Sequence, residues 1–264
     1  MLKIVLLILT AYLALVALLF IFQRNILFVP GKSAPLTEGS LVPEAKDISL
    51  RTTDGLILHS WFFKGKKSKP LILYFQGNTG TIADRDKKAR HFMDLGYSFL
   101  FVGYRGYGGN SGTPSEKGFN LDANAAIAFA ISAGFNSNEI VLYGESLGTG
   151  VAINLAQKTR VLSVILEAPY TSIAKVASER YWFVPVDYLL KDRFDSISKI
   201  KDLNIPLLIL HGDKDQVIDL KHGKELFEQA SEPKYMHIFK GANHSNLYDY
   251  NAIDVVDSFL VNKN

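Results

Sequence analysis

No cysteine occurs anywhere in the chain. That absence excludes disulfides, thiolate metal ligands and cysteine nucleophiles, and leaves the redox compartment undetermined. Charge of one sign is lacking as well. Lys and Arg number 29 against 26 Asp and Glu, a net +3, so there is no basic stripe of the kind that grips nucleic acid, and no nucleic-acid partner is expected. Internal repeats and low-complexity tracts are missing too. What is there, 264 residues at 48% hydrophobic and 21% charged, is enough to bury the core of a single α/β domain.

The apolar residues are unevenly spread. Residues 4–22, IVLLILTAYLALVALLFIF, carry no charge and are flanked by Lys3 and by Gln23-Arg24. At the helical rise they span roughly 28 Å, close to the hydrocarbon thickness of a bilayer. A cleaved signal peptide would have an apolar stretch of roughly 7–15 residues and a small-x-small cleavage site, whereas this run ends FIFQRN. A helix of a soluble core would show a polar face. Residues 1–24 are therefore expected to be an uncleaved single-pass membrane anchor, with the lipid bilayer as partner. Its orientation is open, because positive charge flanks both ends. Residues 25–45, with Pro, Gly and Ser but no periodicity, read as a linker lying on a domain that occupies 46–264.

In that domain, strand signals recur at 47–52, 56–63, 70–76, 98–104, 139–145, 163–169, 206–212 and 235–241. The first two flank Thr53-Asp54-Gly55, a hairpin turn signal. From residue 70 onward the strands are short, continuously apolar runs, as expected when both faces of a parallel sheet are covered. Helical patterns fill the gaps at 81–95, 115–133, 147–158, 220–230 and 252–262. The alternation predicts a mostly parallel, eight-stranded, doubly wound sheet led by an antiparallel hairpin. Residues 170–205 are long for a plain crossover. They contain SIAKVASERY and an apolar cluster around Pro185, which reads either as a core-packed extension of a crossover helix or as a short cap over a site.

The chemistry centres on VLYGESLGTG, residues 141–150. A bare G-x-S-x-G arises by chance in about one chain in ten of this length, given Gly and Ser at roughly 7% each. Here it joins an apolar strand to a helix, the setting in which the serine stands clear of the sheet edge beside a helix N-terminus. Ser146 is thus a candidate nucleophile, and a serine hydroxyl needs a base. On such a fold the order is Ser, then acid, then His, which leaves His222, His237 and His244. His237 lies inside a strand and His222 in a helix, expected to be solvated. His244, in the polar loop GANHSN beyond a strand end, is the favoured base. The loop after 206–212 offers Asp213, Asp215 and Asp219 as acid. Asp215 has room to fold back toward His244, Asp213 is the second choice with a turn-capping role as its alternative, and Glu167 is a distant third. Oxyanion donors are expected in the backbone N–H of Leu147 and, from the loop QGNTG, that of Asn78.

Together these stretches resemble the membrane-anchored serine hydrolases of the α/β-hydrolase superfamily, in the branch that includes fungal bud-emergence hydrolases and animal protein depalmitoylases. The resemblance runs through FQRNILFVP, LILYFQGNTG, YRGYGGNSGTPSEKG, LYGESLGTGVAINLA, LEAPYTSI, LLKDRFDS, LILHGDKDQVID and GANHSNL. It implies the α/β-hydrolase fold, Ser146 as nucleophile, Asp215 as acid and His244 as base, with no metal or organic cofactor. Two positions depart from the branch: Gln76 stands where it usually has His, and Gly103 where it usually has Asp. Arg105, in the run that follows, suits either a substrate carboxylate or the pinning of loop 104–114. The expected activity is cleavage of carboxylic esters or thioesters of fatty acids near a membrane. A serine aminopeptidase and a catalytically dead scaffold are the alternatives.

Overall fold

Continuously apolar strands need cover on both faces, and the sheet has it. The computed structural model describes residues 1–261. Its main sheet has eight strands: β1 (Lys46–Arg51), β2 (Ile57–Phe63), β3 (Leu71–Phe75), β4 (Ser98–Val102), β5 (Ile140–Glu145), β6 (Ser163–Glu167), β7 (Leu207–Gly212) and β8 (Lys234–Phe239). They lie in the order β8-β7-β6-β5-β3-β4-β2-β1. The β1–β2 and β2–β4 pairings are antiparallel, and every other pairing is parallel. Alternation along β3 shows the double cover: Leu71, Leu73 and Phe75 enter one core, Ile72 and Tyr74 the other, and all five are fully buried.

Nine α-helices are described. They are α1 (Leu2–Leu27), α2 (Asp86–Asp94), α3 (Glu116–Ser132), α4 (Leu147–Ala156), α5 (Ile173–Arg180), α6 (Val186–Leu189), α7 (Ile197–Ile200), α8 (Leu220–Gln229) and α9 (Ala252–Val261). Side chains of α3, α4, α7 and α8 pack into the first core, and those of α2 and α9 into the second. The chain therefore has the α/β-hydrolase fold. Within residues 46–261, element bounds agree with the sequence pattern to within two residues except at 81–95, which opens as a 3-10 turn (Ile82–Arg85) before α2. Residue 262, the expected end of the last helix, lies outside the described residues.

The strand order reverses where β3 sits between β4 and β5. The loops leaving β3 and β5 diverge there, which opens a crevice at the carboxyl ends of the strands, where sheets of this kind hold ligands.

One end of the chain differs from expectation. Helix α1 continues through Leu27, three residues beyond the anticipated anchor boundary at residue 24. No helix breaker occurs before Pro30, and the chain turns out of the helix where Phe28 becomes buried against Phe119 and Phe194. Val29 and Pro30 then pair in parallel with Thr79 and Gly80, the loop after β3. With 26 residues, α1 is about 39 Å long. It is long and apolar enough to cross a membrane, and none of its residues is fully buried.

Candidate active site

Ser146 turns the chain from β5 into α4 with φ 50° and ψ −115°, a conformation a residue with a side chain rarely adopts. Backbone bonds hold it there. Its N–H donates to the Glu167 carbonyl at 2.8 Å, and its own carbonyl accepts from the Thr149 N–H at 2.9 Å and the Thr149 hydroxyl at 2.6 Å. The flanking glycines let strand and helix meet. A Cβ at position 148 would stand 2.1 Å from the Phe75 carbonyl oxygen, and one at 144 would stand 2.6 Å from that of Gly148. Gly148→Ala must push α4 off β3, so it is expected to cost about 3 kcal/mol, a fall in Tm of roughly 6–12 °C. A thermal melt shifted by less than about 2 °C would show that the helix slides freely.

Two further loops meet this turn at the same end of the sheet. His244, from the loop after β8, brings Nε2 to 2.9 Å from Ser146 Oγ and Nδ1 to 2.7 Å from Asp215 Oδ2. Asp215 comes from the loop after β7, and its other oxygen accepts from the N–H groups of Val217 and Ile218 at 2.8 and 2.9 Å. Burial pushes the Asp215 carboxyl up. Hydrogen bonds from the His211 and His244 side chains and the Ile218 N–H more than reverse this, holding it well below the usual carboxylate range. With Nδ1–H committed to an ionised Asp215, Nε2 is left as the acceptor facing the serine hydroxyl.

The other candidates go elsewhere. Asp213 accepts from the Gly241 N–H at 2.7 Å and closes the turn, while Asp219 caps α8 through the Lys221 N–H. His237 lies exposed on edge strand β8, packed against Phe239. His222 is buried rather than solvated. It is 2% exposed, with Nδ1 2.9 Å from the Thr171 hydroxyl and Nε2 3.3 Å from Glu179, because its face of α8 packs beneath the 171–179 segment. Arg105 is engaged on both sides, by Asp122 at 2.8 Å and Asp54 at 2.7 Å. That pins its loop to the β1–β2 turn and to α3 and leaves no free edge for a substrate carboxylate.

Both departures from the family pattern have local consequences. A side chain at Gly103 would put Cβ 2.0 Å from the His59 carbonyl oxygen, so an Asp has no room. Asn110 instead binds the backbone of His59. The Gln76 side chain is fully buried, with neither polar atom hydrogen-bonded among the described residues.

Asn78 and Leu147 border the same cleft as Ser146, and among the described residues neither N–H donates to a backbone carbonyl outside the regular elements. The Asn78 carbonyl accepts from the Val29 N–H and the Tyr107 hydroxyl, and its Nδ2 donates to the Leu27 carbonyl at 3.0 Å. The loop after β3 is thereby tied to the end of α1. The cleft has a cavity volume of about 200 Å³ and an apolar lining that includes Val176, Val184, Leu189 and Val217, and among the described residues no acidic side chain borders it. In the 170–205 segment, Val184, Val186, Leu189 and Leu190 face this cleft, whereas Trp182 and Tyr188 are exposed rather than core-packed.

The sequence pattern did not reveal the buried charge cluster behind Ser146. Lys88 of α2 donates to Glu145, the residue before the serine, and to both oxygens of Glu167 at 2.8 Å. Arg85 donates to Glu145 at 2.9 Å and to the carbonyls of Thr79 and Thr81 at 2.9 and 3.2 Å. Hydroxyls of Tyr74 and Tyr143 complete the two carboxylates. Two cations thus balance two anions, and the serine turn is bound to the loop that carries Asn78. Burial pushes the Glu145 carboxyl up, and Lys88 and Arg85 more than reverse this and hold it below the usual range. The only available hint was a charged residue ending each of two apolar strands, which surface exposure would explain equally well.

Glu145 and Asp215 both titrate lower in the folded chain than in an unfolded one. The stability they confer is complete above the unfolded carboxylate pKa of about 4 and is lost as pH falls below it. Tm measured in a non-ionic detergent should therefore vary little between pH 5 and 8 and fall steeply below about pH 4. A Tm that holds level to pH 3 would mean these carboxylates are not paired in solution.

Known proteins share this architecture. Residues 70–199 match the protein family described as alpha/beta hydrolase fold, and residues 188–251 the family described as serine aminopeptidase, S33. A Mycobacterium tuberculosis protein is 34% identical over 244 residues, covering 89% of this chain and 87% of its own length. The protein bem46 of Schizosaccharomyces pombe is 32% identical over 255 residues, covering 88% and 84%. Among solved structures, an esterase of Pyrococcus furiosus superposes with a TM-score of 0.72 at 17% identity, over 89% of this chain and 98% of its own. At that identity the likeness is one of fold.

Proposed function

The chain belongs to the α/β-hydrolase fold family, and we propose that it is a membrane-anchored serine hydrolase cleaving carboxylic esters or thioesters of acyl chains. The observation that carries this reading is the continuous line from Asp215 Oδ2 through His244 to Ser146 Oγ, with bonds of 2.7 and 2.9 Å. Ser146 Oγ attacks the acyl carbonyl carbon as its proton passes to His244 Nε2. The carbonyl oxygen becomes an oxyanion held by the N–H groups of Leu147 and Asn78. The tetrahedral intermediate collapses, the bond to the alcohol or thiol breaks, and His244 gives its proton to that leaving group. Water, deprotonated by His244, then releases the acid from the acyl-enzyme. Asp215 keeps the imidazole in the tautomer that accepts at Nε2 and stabilises the imidazolium.

The cleft supports an acyl substrate. At about 200 Å³ it lies below the roughly 300–1,000 Å³ of pockets for drug-sized ligands, which suits one unbranched chain better than a ring system. The serine-aminopeptidase match over 188–251 favours a second reading. A free α-ammonium group needs a carboxylate beside the scissile bond, and the described cleft lining contains none.

The test is labelling of the detergent-solubilised protein by a fluorescent fluorophosphonate, alongside turnover of p-nitrophenyl acyl esters and of aminoacyl p-nitroanilides. Labelling and ester turnover that vanish in Ser146→Ala and His244→Ala, with the anilides untouched, are expected. A folded wild type that neither labels nor turns over any ester would overturn the assignment, and turnover of the anilides alone would favour the peptidase.

A further inference from the structure

Helix α1 does more than project from the domain. Tyr12, Val16, Leu19, Gln23 and Leu27 form a stripe at helical spacing that is less exposed than its neighbours. This stripe is fastened to the 181–192 segment. Tyr12 Oη donates to the Phe183 carbonyl at 2.8 Å, the Lys191 N–H donates to Gln23 Oε1 at 2.7 Å, and Arg24 pairs with Asp192 at 2.7 Å. Its last carbonyl is held by Asn78. Leu19, Phe20 and Ile26 of α1 also line the cleft that opens on Ser146, together with Val176, Val184 and Leu189.

We propose that α1 is a wall of the substrate site, and that its ligand is the single fatty acyl chain of a bilayer-embedded ester, which reaches Ser146 sideways between α1 and the 181–190 segment. This rests on the serine-hydrolase reading above. Outside that stripe, α1 presents Leu13, Leu18 and Phe22 at 51–56% exposure, as a lipid-facing surface requires. Tyr188, 91% exposed, adjoins Leu189, whose carbonyl accepts from Gln23 at the charged end of α1, and tyrosine is a residue that settles at a membrane interface. Trp182, 82% exposed, precedes Phe183 at the level of Tyr12. Tyr12 lies about 22 Å along the helix from Leu27, so 181–184 runs beside the apolar part of α1. Part of the backbone of that stretch is paired there, through Tyr12 to the Phe183 carbonyl, Tyr181 N–H to Ala177, Val184 N–H to Tyr181 and Val186 N–H to Val184, which lessens the cost of immersion in hydrocarbon. Arg24, Lys191 and Asp192 gather at the opposite end, near Asn78, where the headgroups would lie. An acyl chain taking this path exchanges lipid for apolar protein without crossing water.

The test uses the full chain in phosphatidylcholine vesicles and an alkyl fluorophosphonate whose sixteen-carbon tail carries a diazirine. After the probe has reacted with Ser146, irradiation should link the tail to the tryptic peptide of α1 that contains Leu19. An adduct on Ser146 whose tail links only to residues 170–205 or 217–218 overturns the proposal. A lack of any Ser146 adduct counts against the hydrolase reading instead. As a second measurement, Leu19→Trp should lower the ratio of kcat/KM for a twelve-carbon over a four-carbon p-nitrophenyl ester at least tenfold. Leu9→Trp, outside the cleft, should leave that ratio as in the wild type. A ratio unmoved by Leu19→Trp, or moved equally by Leu9→Trp, overturns the wall.

Discussion

Asp215→Asn should lower kcat/KM for a short acyl ester about 10⁴-fold, with Ser146→Ala and His244→Ala losing about 10⁶. The amide introduced in place of the carboxylate can offer an N–H to the imidazole, which favours the tautomer protonated at Nε2. That nitrogen then donates toward Ser146 Oγ instead of accepting its proton. The size of the expected loss comes from geometry already in place, with Asp215 Oδ1 occupied by the N–H groups of Val217 and Ile218 and only Oδ2 turned to His244. The three variants should also be strongly non-additive, so that the double variant of Ser146 and Asp215 is no slower than Ser146→Ala alone. Losses below tenfold in Asp215→Asn would mean that the carboxylate only braces its loop. A pH–rate profile separates the cases, because a bracing role leaves the rising limb where it was.

Lys88→Met should be the most damaging single change to stability. It leaves the carboxylates of Glu145 and Glu167 buried, with Arg85 as the remaining cation on Glu145 and none on Glu167 among the described residues. Breaking a buried ion pair from one side costs about 3–5 kcal/mol, which corresponds to a fall of roughly 10 °C in Tm at this size. Combining it with Glu167→Gln removes the unpaired charge, so the pair should lose less than the sum of the two single variants. A fall under about 2 °C for Lys88→Met would show that water reaches the cluster. Because Glu145 precedes Ser146 and Arg85 holds the carbonyls of Thr79 and Thr81, the variant should also lower fluorophosphonate labelling at temperatures where the fold persists.

The parts that could be read from the chain itself are those encoded by local pattern. β3 to β7 are legible because burial on both faces demands continuous apolar runs, and α3 because Ala and its neighbours favour helix and Ser115 caps its start. Ser146 could be located because a strand-to-helix turn with glycines at 144 and 148 is a local requirement. Asp215 and His244 follow from the position of loops after strand ends. α1 was legible from length and hydropathy, though not its last turn, since nothing between residues 24 and 27 marks an end.

Other features arise from contacts between distant residues and have no local trace. His222 has the sequence surroundings of a solvated helix residue and is buried only because α8 meets the 171–179 segment. Lys88 and Glu167 are 79 residues apart and Arg85 and Glu145 are 60, so their charges read as surface until the fold closes over them. The same holds for α1, whose apolar composition predicts lipid on every side. Its contacts with Phe183 and Asp192, 171 and 168 residues away, turn one of its flanks into the lining of the cleft. Period and composition thus determined the sheet, the turn at Ser146 and the apolar helix. Tertiary structure decided which charges are buried and what that helix touches, because both depend on surfaces that meet only when the chain has folded.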